Sequence, residues 1–429
     1  MVPLRLDGAT LRKAADDFGH IVHRTPEGVV RPGSADDVAA AVGWGLPLTA
    51  RGSGHSTFGR SQVDGGIVVD MSALRGIGAV EDGQVVVDAG ATWGKVIAAT
   101  LQEGLTPPVL PDYLDLSVGG TLVVGGIGGT TAALGAVSDN VLELEVVTGH
   151  GETVLCAAGD ELFDAVLAGL GQVGVITRAT LRLVAAPRWV RRIALAYPDL
   201  ATMVGDARAL LGRFQVVQGA IRPAPGGGLA FGLDAARWFD AEPPDDRALL
   251  AGLSDDAARR EATTTTYRAF LGRLAPLEAA LRANGQWSLP HPWLMTFVGD
   301  ASVESVVGSE LERLGPAADL GPLGQLTLSP LRRRAISSPL LRLPGDELCW
   351  AFNFVRLPAG GDARRLVNAN AAAYRRIRAA GGTVYPVSAL PFSPADWREH
   401  FGDAFARLDA AKRRFDPARR LTPGYEVFA

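Results

Sequence analysis

Residues Arg51 to Ser56 read Arg-Gly-Ser-Gly-His-Ser and set one histidine inside a glycine-rich turn, shortly before the β-branched run Ile67-Val68-Val69-Asp70. Pro47-Leu48-Thr49-Ala50 reads as a buried strand feeding that turn. Glycines allow close backbone approach and tight reversals that other residues resist. Two readings of such a turn stand side by side. Its successive N–H groups can hold an anion such as a phosphate, with His55 facing whatever is held. Equally, a glycine-rich loop can carry a structural or surface histidine.

Composition narrows the classes. The chain has 429 residues, 47% hydrophobic and 21% charged, which is enough for two cores because single cores stop growing near ~250–300 residues. A formal net charge of −4 supplies no basic field, so neither nucleic acid nor a membrane surface is expected as a partner. The clusters Arg332-Arg333-Arg334 and Lys412-Arg413-Arg414 read as solvated faces or helix ends. Cys156 and Cys349 fit neither a disulfide framework nor a zinc pattern, and buried thiols are expected. No metal is indicated. Met1 to Asp7 lack the charged and apolar blocks of a secretion signal, and no run nears the ~20 apolar residues of a membrane helix. A cytoplasmic location is expected.

Up to about Leu183, short strands alternate with short helices. Ser34 heads an N-capped helix through Val42, and Leu142 to Thr148 alternates as a half-buried strand should. Gly149-His150-Gly151-Glu152 reads as the turn of a hairpin returning along Thr153 to Cys156. Composition shifts near Pro187, and glycine and proline clusters then separate helical and strand patterns. From about Tyr385 the texture shifts again, to one aromatic and basic closing helix through Trp397, Phe401, Phe405 and Phe415. Three segments are expected: 1–186, 187–384 and 385–429.

A second glycine-rich segment runs from Pro111 through Asp112-Tyr113-Leu114-Asp115-Leu116-Ser117-Val118-Gly119-Gly120-Thr121 into Val124-Gly125-Gly126-Ile127-Gly128-Gly129. No Gly-x-Gly-x-x-Gly sits between a clear strand and helix with a trailing acid, and no Lys-Ser or Lys-Thr follows these glycines. A nucleotide bound here would use neither of those devices. The plain alternative is a packing corner between sheets, with Asp112 as a loop-capping carboxylate after Pro111.

In order along the chain come the Gly-His-Ser turn at residues 54–56, the Asp112–Leu122 segment, Asp139-Asn140-Val141-Leu142-Glu143 and Asp160-Glu161-Leu162-Phe163. His291-Pro292-Trp293-Leu294, Trp397-Arg398-Glu399-His400-Phe401-Gly402 and Phe415-Asp416-Pro417 follow. Together these strings resemble the cytokinin dehydrogenase family, within the vanillyl-alcohol oxidase and p-cresol methylhydroxylase (PCMH) group of FAD proteins. The resemblance spans nearly the whole chain. It implies an α+β fold: a PCMH-type two-part FAD-binding domain with an inserted α+β substrate domain, an antiparallel sheet covered by helices.

It further implies FAD held by a single covalent link through His55, since Asp115 stands where doubly linked relatives carry a cysteine. Backbone of Arg51, Gly52, Ser53, Gly54 and Ser56 and of Ser117, Val118, Gly119 and Gly120 would hold the pyrophosphate by N–H donors. Val175 and Ile176 would lie along the adenosine and ribityl part. Asp112 matches the family's catalytic aspartate, and Tyr113 and Trp293 would wall the substrate pocket, although local packing alone also accounts for both. The implied reaction moves a hydride from a carbon next to nitrogen, in a cytokinin-like N-alkyl adenine or another secondary amine, with oxygen or a quinone as electron acceptor. Alternatives are a flavin oxidase of an alcohol, sugar or natural-product intermediate, and a flavin-binding protein without turnover. The chain departs from plant members near the substrate, with Leu110-Pro111 before Asp112 and Ala132-Ala133-Leu134-Gly135-Ala136-Val137 where they carry Phe-Arg-x-Gly-Pro-Gln.

Overall fold

The structure is a computed structural model that describes residues 3–358, 360 and 362–428. Its first sheet has four strands. Gly28–Val30, Ile67–Asp70 and Leu48–Arg51 run parallel in that spatial order, and Leu4–Arg5 pairs antiparallel on the outer edge. The runs Val29-Val30 and Ile67-Val68-Val69 are buried throughout, as expected where both faces of a parallel sheet are covered. The helix Ala35–Val42 covers part of it through Val38, Ala41 and Val42, and the Ser34 side chain caps its N-terminus by accepting from the Asp37 N–H at 3.2 Å.

A second, antiparallel sheet follows, in the order Ile77–Glu81, Gln84–Asp88, Gly174–Arg182, Val141–Thr148 and Thr153–Ala157. The expected hairpin around His150 joins the last two of these. The glycine segment around Ser117 lies between the two sheets, with Trp93 fully buried beside it and donating to Thr121 Oγ1 at 2.9 Å.

The third sheet has eight antiparallel strands, all drawn from residues 189 to 384. Trp189–Tyr197, Leu229–Phe239, Val216–Pro223, Gln325–Arg332, Leu348–Val355 and Leu294–Gly299 form its middle in that order, flanked by Glu261–Thr266 and Thr383–Val384. Helices Leu200–Leu210, Val303–Arg313 and Ala363–Ala379 pack on one face. Alternation along the strands sends Gln218, Thr327, Ser329 and Asn353 to the other face, toward a cleft shared with the first two sheets. The antiparallel sheet covered by helices is the architecture expected for this part of the chain.

Three expectations need correction. The closing helix is two helices, Pro394–Phe401 and Ala404–Phe415, because Gly402 breaks between them at φ +52°. Lys412 is not on a solvated face: it is buried with its Nζ 2.8 Å from Asp416 and donates to the carbonyls of Gln172 (2.7 Å) and Leu421 (3.2 Å). Its neighbours Arg413 and Arg414 are exposed, so the basic cluster splits across a helix face. His400, with no ligand spacing to other histidines, reads from the sequence as a surface or core-edge residue, but it is buried between Trp397 and Phe401 with both ring nitrogens unpaired among the described residues. Beyond the last helix the chain returns to the first sheet, where Leu48 and Thr422 exchange backbone bonds with their neighbours (Leu48 N–H to Arg420 O, 2.9 Å; Thr422 N–H to Leu48 O, 2.7 Å). Cys156 and Cys349 are buried free thiols, as expected.

Candidate active site

The two glycine-rich segments meet. A Cβ built on Gly52 would stand 1.8 Å from Ser117 Oγ, so only glycine permits this approach. Ser53 ties the loops together by donating to the Asp115 carbonyl at 2.5 Å. Past this junction the N–H groups of Ser53, Gly54, His55 and Ser56 donate to no backbone or side-chain acceptor among the described residues. All four residues line the cleft, and a run of unspent backbone donors is a ready anion cradle. The second segment contributes less than the sequence suggested. Val118 and Gly119 spend their N–H groups on the carbonyls of Ala91 (2.9 Å) and Ala89 (2.8 Å), which leaves those of Ser117 and Gly120 without an acceptor among the described residues.

The cradle opens into a cleft of about 510 Å³ between the sheets. All the residues named from the sequence line it except Arg51 and Val118. The Arg51 side chain turns away and donates to the Asp16 carbonyl at 2.6 Å. Val118 points into the core. Val175 and Ile176 line the cleft, as do Asp112, Tyr113, Trp293 and His55.

His55 stands in a column of rings. Phe18 lies on one face at 3.9 Å between centroids and 17° between planes, and Tyr113 lies on the other at 4.8 Å and 29°. Loss of water around the imidazole pushes its pKa down to about 3, with His291 and Arg282 adding to the fall. The ring is therefore neutral at ordinary pH. Tyr113 donates to Glu278 at 3.1 Å, and Glu278 also pairs with Arg282, whose guanidinium lies 4.2 Å over the Trp287 ring.

Asp112 faces the same space. Arg273 grips one carboxylate oxygen at 2.6 Å, and the Gln218 amide approaches the other at 3.4 Å. Arg273 is itself braced by the Phe270 ring at 4.5 Å. The cleft floor adds neutral polar groups, with Asn353 donating to Thr327 at 2.9 Å. Sequence reading missed Arg273, Gln218, Glu278 and Phe18, and it gave His291 only as part of the His291–Leu294 string that resembles the family. Arg273 and Glu278 share one short stretch with Leu274 and Leu277, all lining the cleft. A charged pair set among leucines was the only signal available there.

A free-amide cradle fits a pyrophosphate, and the apolar cleft beside it fits a flat ring system flanked by aromatic residues. Known proteins supply the class that this chemistry indicates. Residues 26–157 match the model of an FAD binding domain, and residues 247–428 match the one described as cytokinin dehydrogenase 1, FAD and cytokinin binding. The chain is 41% identical to an uncharacterized oxidoreductase, ORF5 in the fasciation locus of Rhodococcoides fascians, over 98% of each chain. It is 34% identical to cytokinin dehydrogenase 10 of Oryza sativa subsp. japonica, over 100% of this chain and 89% of the relative. With cytokinin dehydrogenase 1 of the same plant it shares 35% identity, over 99% and 91%. These matches define an FAD-dependent oxidoreductase. More narrowly, the chain belongs to the cytokinin dehydrogenase family. No helix among the described residues is long and apolar enough to cross a membrane.

Proposed function

We propose that this oxidoreductase acts on a carbon bonded to nitrogen, in a cytokinin-like N-alkyl adenine or another secondary amine. The observation that carries this reading is the Asp112 carboxylate, presented to the cleft by Arg273 and Gln218 within a chain that is 34% identical to a named cytokinin dehydrogenase. FAD, when bound, supplies the hydride acceptor. The protein's part is to bind, orient and polarise. The N–H groups of Ser53 to Ser56, Ser117 and Gly120 would hold the pyrophosphate, Val175 and Ile176 would line the adenosine end, and His55 would carry a single covalent link.

Asp112 accepts a hydrogen bond from the substrate N–H. That contact moves electron density from nitrogen toward the C–N bond and eases departure of hydride from the adjacent carbon. The resulting imine is hydrolysed by water to an amine and an aldehyde. Tyr113 and Trp293 wall the substrate space, and Gln218, Thr327 and Asn353 offer it neutral donors and acceptors. Oxygen or a quinone then removes the electrons.

Replacing Asp112 tests the assignment. Asp112→Asn keeps the shape and removes the anionic acceptor, so single-turnover oxidation of amines should slow by about 10²–10⁴-fold. An enzyme whose substrate is an alcohol, and whose base lies elsewhere, would keep its rate, and that result would replace the amine reading.

A further inference from the structure

A loop at residues 16–20, ahead of the matched FAD-binding region, runs beside the His55 turn. The Phe18 N–H donates to Gly54 O at 2.9 Å and the Gly19 N–H to Ser56 O at 3.0 Å, so the loop is bonded on both sides of His55. Asp17, 3% exposed, locks the pairing: its carboxylate accepts from Ser56 Oγ and the Gly59 N–H at 2.7 Å each, and from the Gly19 N–H at 3.0 Å. Gly19 is required, because a Cβ there would stand 2.1 Å from the Thr57 carbonyl oxygen.

This arrangement lays the Phe18 ring flat on His55. The far face of Phe18 is covered by His291, again at 3.9 Å and 16°. His291 comes from the segment leading into the eight-stranded sheet, and it holds the loop twice. Its N–H donates to Gly19 O at 2.9 Å, and its Nδ1 lies 2.8 Å from Phe18 O. A carbonyl can only accept, so Nδ1 carries the proton, and Nε2 is buried without a partner among the described residues. The order His291, Phe18, His55, Tyr113 is thus one stack built from four separate stretches of chain. It covers both faces of His55 and leaves the ring edge, which bonds to no described residue, as the part free to react.

We propose that the Asp17–Phe18–Gly19 strap, pinned by His291, is a positioning device that fixes the His55 ring for covalent attachment to the flavin. The inference rests on the reading of His55 as the attachment site. Attachment breaks a C–H bond at the flavin's 8α carbon and an N–H bond of the imidazole, and forms a C–N bond. The two hydrogens and their electrons stay on the ring system until dioxygen takes them as hydrogen peroxide. A clamped, neutral imidazole meets that carbon without first losing rotational freedom or a proton, which is where a preset geometry gains most.

The test is to prepare protein without flavin, add FAD in air, and follow the flavin that stays with the acid-precipitated polypeptide against the flavin released. Phe18→Leu, which keeps apolar bulk and loses the flat ring, should bind FAD reversibly through the intact cradle and attach it about tenfold or more slowly. Phe18→Ala should be slower still, and Phe18→Tyr should restore the rate. A Phe18→Leu protein that attaches flavin at the wild-type rate would overturn the strap's role while leaving His55 as the site. Wild-type protein that releases all its flavin, or a His55→Ala protein that retains it, would overturn the attachment reading and the strap with it.

Discussion

Asp112 and Arg273, 161 residues apart in sequence, meet at 2.6 Å in the lining of the cleft. The pair joins the FAD-binding half of the chain to the segment that precedes the helix Ala275–Ala283. Asp112 is 35% exposed, so its strength as an ion pair is modest, and its value lies in direction. With one oxygen held by Arg273, the carboxylate has a defined face left for a substrate N–H.

Arg273→Met should therefore impair the chemical step more than folding. We expect the rate constant for reduction of bound flavin by an amine to fall by about 10²-fold, with the melting temperature nearly unchanged. Stopped-flow absorbance with matched melting curves checks both. Arg273→Lys should recover part of the rate.

Gly52→Ala should separate the two glycine segments. The new methyl group would collide with Ser117 Oγ at 1.8 Å, and such overpacking costs about 1–3 kcal/mol. Flavin content per chain and chemical denaturation should both fall. Adding Ser117→Gly should recover part of each, because it removes the atoms that are struck.

The parts of this site that sequence made legible are local ones. The Gly-His-Ser turn, the Asp112 segment, the capped helix after Ser34 and the hairpin at His150 each announce themselves through neighbours within a few residues. Arg273 on Asp112, Gln218 on Asp112 and Phe18 on His55 do not, since each contact spans tens to hundreds of residues and exists only once the sheets have met. Lys412 shows the same limit from the other side. Its basic neighbours suggest solvent, and only the return of the chain at Leu421 supplies the carbonyls that make its burial tolerable. Gly402 could have been read as a helix break, but aromatic spacing on both sides of it favoured one continuous helix.

Lys412→Met should expose the cost of that buried pair. Asp416 would keep its bonds from the Leu421 N–H at 2.9 Å and the Arg420 N–H at 3.2 Å but lose its counter-charge. Breaking a buried pair from one side costs about 3–5 kcal/mol. Denaturation in urea should show a loss of this size, with the C-terminal helix Ala404–Phe415 becoming open to proteolysis first.

Buried histidines set the acid limb of stability. Burial lowers the pKa of His400 to about 3 and that of His291 to about 4, whereas both titrate near 6.5 when unfolded. Below pH 6.5 the unfolded chain takes up protons that the folded chain excludes, so this contribution is complete above pH 6.5 and is lost as pH falls toward 4. At pH 5 each histidine should withdraw about 2 kcal/mol relative to pH 7.5. Urea denaturation of flavin-free protein at the two pH values measures the difference, and His400→Leu should reduce it by roughly a third, because His55 is lowered in the same way. A difference unchanged in that variant would mean other groups govern the limb.

The most direct test of the central claim is to mix the purified holoprotein with isopentenyladenine without oxygen and watch the absorbance of oxidised flavin. The account predicts prompt bleaching, with return of the band when air or a quinone is admitted. A flavin band that persists with isopentenyladenine and with other secondary amines, yet bleaches with an alcohol or sugar, would contradict it.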